Sequence, residues 1–154
     1  MKVLIGSDHL GYALKNELGR HLRDLDHEVT DASPNSEEVD YPDVAEAVAR
    51  RVANGDAEAA VLVCGTGIGM AIAANKVPGI RAANVSDPYS AERARASNDA
   101  QILCLGSKVV GFELANILVD HWMAAEFQGD RSARKVEKIR ALDQLRAGAP
   151  SDQR

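Results

Sequence analysis

Residues 61–69 read VLVCGTGIG, an apolar run that stops at a thiol and passes at once into glycines two residues apart. Glycine has no Cβ, so consecutive backbone N–H groups in such a stretch can turn toward one negatively charged oxygen. A helix starting after the loop would add the partial positive charge of its amino end. Cys64 sits at the edge of that field, which favours the thiolate. A thiolate beside an oxyanion hole is either a nucleophile or a general base. Nucleophilic acyl transfer wants a histidine near the sulfur, but the four histidines are scattered at 9, 21, 27 and 121, and only His9 falls in a strand-end loop. Proton abstraction next to a carbonyl, through an enediolate, fits better. The plain alternative is that Cys64 is a small buried hydrophobe.

Two further patterns are tested by their spacing. In GSDHLGYA (6–13), Gly6 and Gly11 are spaced as in a phosphate loop, but Tyr12 and Ala13 stand where lysine and serine or threonine belong, which argues against a nucleotide triphosphatase. Asp8 and His9 remain: Asp8 as a cap for the next helix, or both as ligand contacts. In CGTGIGM the third glycine of a dinucleotide fingerprint is replaced by Met70, and the loop follows a third strand, not a first. Asp87 stands roughly where a ribose-binding acid would, so a nucleotide-binding module stays open as a second reading. No His, Cys, Asp and Glu set has metal-ligand spacing, so no metal or cofactor is expected. Cys104, in LCLG, sits one residue earlier relative to its strand end and reads as core.

The elements that must position these loops alternate. Strands are expected at 2–6, 28–30, 60–63, 81–85 and 102–105. Helices are expected from 12 to 25, from Pro42 through Val52 to a stop at Asn54–Gly55, and over 68–76, 88–96 and 112–126. Five apolar strands alternating with helices predict an α/β, single-domain, doubly wound Rossmann-like parallel sheet. Ligands bind such sheets beyond the carboxyl ends of the strands, where the loops above fall. Residues 131–146 read as a last, highly charged helix that would lie across another surface, such as a second subunit. The domain is expected over 1–147, with 148–154 a frayed tail.

Composition excludes several classes. The chain has 154 residues, 45% hydrophobic and 27% charged, with aromatics only 4%, so Ala, Val, Leu and Ile must build the core. A net charge of −5 without a basic tract argues against nucleic acid and anionic membranes as partners. No apolar stretch is long enough to cross a bilayer, and no signal peptide is visible. Two cysteines make no disulfide framework, which points to the reducing cytoplasm.

Taken together, GSDHLG, DYPD at 40–43, CGTGIGMAIAANKVPGIRAA, SNDAQILCLGSKVVG and EFQGDRSARKVEKI resemble type B ribose-5-phosphate isomerases and the related galactose-6-phosphate isomerase subunits. The resemblance runs from Met1 to about Leu145. It implies metal-free interconversion of aldose and ketose phosphates, with Cys64 moving the proton between C1 and C2. Thr66 and the amides of Gly65, Gly67, Ile68 and Gly69 would stabilise the enediolate. Asp8, His9 and Tyr41 would contact the sugar phosphate. It also implies a homodimer or homotetramer with shared active sites, the partner bringing Asn98, Lys108, Arg131 and Lys135. Three departures stand out: Ser97 replaces a histidine expected to open the sugar ring, and Lys108 and Lys135 replace arginines, with Arg134 adjacent. Lysine is a point charge where arginine is a two-pronged donor. The departures raise an alternative substrate, an open-chain tetrose 4-phosphate.

Overall fold

The structure is a computed structural model in which residues 1–33 and 39–147 are described; the expected tail, 148–154, lies outside them. The chain runs β1 (Lys2–Ser7), a single 3-10 turn (His9–Gly11), α1 (Tyr12–Asp24), β2 (Glu28–Asp31), α2 (Tyr41–Ala53), β3 (Ala59–Cys64), α3 (Ile68–Ala74), β4 (Ala82–Asn84), α4 (Pro88–Ala96), β5 (Ile102–Gly106), α5 (Phe112–Ala124) and α6 (Asp130–Ala147). The five strands form one sheet in the order β2-β1-β3-β5-β4, and every neighbouring pair is parallel. β1, β3 and β5 lie inside that order and are almost wholly buried, which is why they read as unbroken apolar runs.

Helices cover both faces. Leu14, Leu18 and Leu22 of α1, Ala91 and Ala94 of α4, and Leu118, Val119 and Trp122 of α5 fill one core. Val44, Val48 and Val52 of α2 and Met70, Ala71 and Ala74 of α3 fill the other. The two layers follow from connection handedness. The chain steps outward from β1 to β2, returns past β1 to β3, and later steps back from β4 to β5, so right-handed crossovers place α1 and α4 opposite α2 and α3. With so few aromatics, small side chains let helices approach closely. Trp122 is the exception, fully buried with its indole N–H donating to the Ala100 carbonyl at 3.2 Å.

β4, α3 and α5 are shorter than expected. β4 is only Ala82–Asn84, because the buried Arg81 side chain turns away to bind the Asn98 and Asp99 carbonyls. α3 stops at Ala74, where the Asn75 amide nitrogen donates to the Ala71 and Ala82 carbonyls and draws the chain into a turn. α5 ends at Ala124, two residues early, where Ala125 adopts an extended backbone. Among the described residues no helix is long and apolar enough to cross a membrane.

Candidate active site

β3 and β5 run out together at the rung Cys64–Gly106, and the chains beyond continue to bond each other. Ser107 N–H donates to the Cys64 carbonyl at 2.8 Å and Lys108 N–H to the Gly65 carbonyl at 3.0 Å. Ser107 Oγ donates to the Leu10 carbonyl at 2.8 Å, which ties in the loop after β1. Three strand-end loops therefore meet over the carboxyl edge of β1, β3 and β5. The helices that follow β1 and β5 go to one face and the helix after β3 to the other, the arrangement at which open parallel sheets bind ligands.

Cys64 is 5% exposed, and the Gly67 N–H points at its Sγ from 3.1 Å. That bond needs a tight reversal, and Gly67 supplies it at φ +78. A Cβ there would lie 2.3 Å from Asn84 Nδ2 and 2.8 Å from the Leu105 backbone, so no other residue fits. Thr66 is exposed, and its Oγ1 accepts from Ile68 N–H at 3.3 Å. With an acceptor site of that hydroxyl engaged, its hydrogen remains able to donate outward. Tyr41 lies over Gly69: a Cβ on Gly69 would sit 2.5 Å from its ring. The helix after the loop, α3, has seven residues, so the positive field near the sulfur comes chiefly from the loop amides and only slightly from a helix dipole.

Asp8 is nearly buried, and its Oδ1 accepts the Gly11 N–H at 3.1 Å, capping the short turn that follows. His9 is exposed on that turn, one residue from Leu10, whose side chain would meet a Cβ on Gly65 at 3.1 Å. The structure thus brings together Cys64, Gly65, Thr66, Gly67, Ile68 and Gly69 with Asp8, His9 and Tyr41. It also places the Lys108 backbone in this group. The reason is that β5 ends beside β3, so the Lys108 N–H reaches the Gly65 carbonyl of its own chain.

Ser97, Asn98, Arg131 and Lys135 lie elsewhere. Ser97 ends α4 and Asn98 follows it, before β5 begins. Gln128 N–H donates to the Ala96 carbonyl at 3.0 Å, which brings the start of α6, with Arg131 and Lys135 both exposed, to that same amino edge. Four residue steps of β5 separate this edge from Gly106, about 13 Å at the usual strand rise. Arg81 shapes the turn. It is 8% exposed, donates to the Asn98 and Asp99 carbonyls, and pairs with the Asp99 carboxylate at 2.8 Å. Burial pulls its pKa below the ordinary arginine value, against the Asp99 charge, which raises it. α6 docks on its own chain through buried Val136, through Gly79 N–H to Asp143 at 2.8 Å, and through Arg140 to Asp99 at 3.7 Å. Asp87, the candidate ribose acid, instead caps α4 by accepting the Ser90 N–H at 2.8 Å.

Sequence reasoning missed Asn84. From the end of β4 its Nδ2 reaches the Thr66 carbonyl at 3.1 Å and the Cys104 carbonyl at 3.0 Å. The signal was a polar residue closing the run RAAN at a strand's carboxyl end. Among the described residues no group of three or more His, Cys, Asp or Glu side chains could hold a metal ion.

Residues 3–139 match the family described as Ribose/Galactose Isomerase. Ribose-5-phosphate isomerase B of Escherichia coli is 47% identical over 146 residues, covering 94% of this chain and 98% of that protein. A D-erythrulose-4-phosphate isomerase of Pectobacterium atrosepticum is 48% identical over 141 residues, covering 90% and 93%. Among solved structures, ribose-5-phosphate isomerase B of Clostridium thermocellum superposes with a TM-score of 0.92 at 48% identity, covering 95% of this chain and 99% of that one.

Proposed function

Starting from the fact that this chain belongs to the ribose/galactose isomerase family, we propose that Cys64 is the base that moves a proton between C1 and C2 of a sugar phosphate. The chain is an aldose–ketose sugar-phosphate isomerase. The observation that carries the assignment to Cys64 is the Gly67 N–H held 3.1 Å from its sulfur, inside a glycine loop at the carboxyl edge of the sheet. The thiolate takes the proton from the carbon next to the carbonyl. The C–H electron pair becomes the carbon–carbon double bond of the enediolate, and the former carbonyl oxygen takes the negative charge. The Thr66 hydroxyl and those loop amides not already turned to Cys64 Sγ or Thr66 Oγ1 stabilise that oxygen. The neighbouring hydroxyl passes its proton to the former carbonyl oxygen. Return of the first proton from sulfur to the adjacent carbon then completes the exchange. Asp8, His9, Tyr41 and Lys108 bind hydroxyls and phosphate. The enzyme works in the cytoplasm, without nucleic acid or a membrane as partner.

The complete site takes residues from two subunits of a homodimer or homotetramer. Asn98, Arg131 and Lys135 sit at the opposite edge of the sheet from Cys64 in one chain, so a second chain has to present them. Leu10, Tyr12, Ile68, Val109 and Phe112 are exposed around the strand-end loops and would be covered by it. Mixing Cys64→Ser with Arg131→Ala subunits should restore activity through hybrid sites. No recovery after verified subunit exchange would show that each chain holds a whole site.

The substrate is ribose 5-phosphate, interconverted with ribulose 5-phosphate. Ser97 favours a second reading. A pentose 5-phosphate closes its ring through the C4 hydroxyl and needs a proton transfer to open. In a tetrose 4-phosphate that oxygen carries the phosphate, so the sugar stays open. Serine cannot titrate near neutrality, whereas histidine can. The 47% and 48% identities to the two named relatives do not separate the readings. Steady-state kcat/KM on ribose 5-phosphate and erythrose 4-phosphate decides. A higher value for ribose 5-phosphate, unmoved by Ser97→His, removes the tetrose reading.

A further inference from the structure

The Thr66–Gly67 peptide is gripped at both ends. Its carbonyl oxygen accepts from Asn84 Nδ2 at 3.1 Å, and its N–H donates to Cys64 Sγ at 3.1 Å. The two groups of one trans peptide point in opposite directions across a rigid plane. Holding the carbonyl on one side therefore aims the hydrogen to the other. The plane is free to rotate only through its flanking torsions, and the glycine on one side makes that rotation easy. Asn84 blocks it. The same nitrogen donates to the Cys104 carbonyl at 3.0 Å, so Asn84 is anchored to β5, and it fills the space beside Gly67 that a Cβ would need.

We propose that Asn84 is a positioning residue for the isomerisation: through the Thr66–Gly67 peptide it aims the Gly67 N–H at the Cys64 sulfur and so sustains the thiolate that takes the substrate proton. This rests on the reading of Cys64 as the base. Asn84 need not touch the sugar. Its amide group is neutral, so it acts by direction and adds no charge. The titratable groups at the strand-end loops and on the elements around the thiol include Asp8 and His9 after β1, Tyr41 on α2, Cys104 on β5 and Lys108 after β5. None of these is altered by changing Asn84, which makes a change in pH dependence assignable to the peptide.

Asn84→Leu keeps the shape and the neutrality and removes the donor; Asn84→Ala, with less bulk beside Gly67, is the companion should leucine not be accommodated. Both sit at the exposed end of a three-residue edge strand, away from the two cores. The expected result is a fall in kcat of about 10- to 100-fold, the range for outer partners that orient a reacting group, with KM changed less than about twofold. The acid limb of the kcat/KM profile should move to higher pH, as expected when a hydrogen bond to the reacting sulfur is lost. Thiolate absorbance of the native dimeric or tetrameric enzyme, titrated in the far ultraviolet, should move with it, and Cys64→Ser gives the blank. A folded variant whose kcat falls while both pH profiles stay in place would overturn the proposal, because that is loss of packing alone. Full activity in Cys64→Ser would instead overturn the assignment of the base, and the absorbance titration would still report whether Asn84 controls the thiol.

Discussion

Cys64 and Cys104 occupy adjacent strands, belong to the same apolar cluster and are 5% and 0% exposed, yet the sulfur of Cys64 meets a backbone N–H at a strand end while Cys104 lies within its strand. Cys104 pairs with Leu62 on one side and Asn84 on the other, and its strand continues for two more residues. Its carbonyl is used by Val85 N–H and Asn84 Nδ2, all within the sheet. Burial raises its pKa well above the ordinary thiol value, and the nearby Cys64 adds to the rise. Cys64 stands two rungs further along, opposite Gly106, where the ladder stops and the backbone can turn back. There the Gly67 N–H meets the sulfur. Two rungs of a parallel sheet thus separate a fully buried core thiol from one that meets a backbone N–H. What differs is access to an unused N–H group, which exists only where the strand has ended.

The largest break in this comparison comes from swapping each sulfur for oxygen. Cys64→Ser should lower kcat by about 10²–10⁴-fold, the usual cost of losing a general base, with melting temperature unchanged. The same exchange at Cys104 should leave kcat within about twofold. Retention of more than about a third of kcat in Cys64→Ser would move the base to another group, such as a carboxylate.

Gly67→Ala attacks the turn that Cys104 lacks. A residue with a Cβ is strained at φ +78, and its methyl would meet Asn84 and the Leu105 backbone. Strain and overpacking together should cost about 2–4 kcal/mol of stability in a urea titration. Activity should fall further than the folded fraction does, because the Gly67 N–H leaves the sulfur. Equal loss of activity and folded protein would mean the turn matters only for packing.

How much of this was legible depended on sequence distance. β1, β3 and β5 declared themselves as apolar runs, and CGTGIG marked the turn after β3 without any other residue's help. The core assignment of Cys104 also followed locally, from two residues of strand still to come. Asn84 was not legible, since its partners at Thr66 and Cys104 are brought near only by a strand order that inserts β5 between β3 and β4. Arg81 read as a strand residue for the same reason: the carbonyls it binds belong to a turn 17 and 18 positions away. Lys108 could not be placed without knowing that β5 ends beside β3. Local pattern exposes an element and a loop, while the second layer of support around a site is set by topology.

A smaller effect separates packing from polarity at Cys104. Cys104→Ser buries a hydroxyl where the thiol has none of that demand, and should cost about 1–2 kcal/mol, read as a lower urea midpoint with kcat/KM intact. Cys104→Ala omits the polar group and should cost less than serine. The reverse order would mean that the site can satisfy a hydroxyl and is not apolar.

The smallest effect is in the alkaline range and uses the raised pKa directly. A thiol with the ordinary value of 9.0 in the unfolded chain but a higher one when folded stays protonated longer in the native state. Its contribution to stability is therefore fully present below pH 9 and is lost as pH rises from there toward the folded value, because only the unfolded chain gains by ionising. By pH 10 the loss from this one group should be about 1.4 kcal/mol. Other groups titrate in the same range, so the measurement is a difference: the stability gap between the native enzyme and Cys104→Ala, followed by urea unfolding from pH 7 to pH 10. The gap should be flat to about pH 8.5 and then shift against the native enzyme by that amount. A gap that stays constant to pH 10 would mean that water reaches the Cys104 sulfur, and the contrast between the two thiols would then rest on the Gly67 N–H alone.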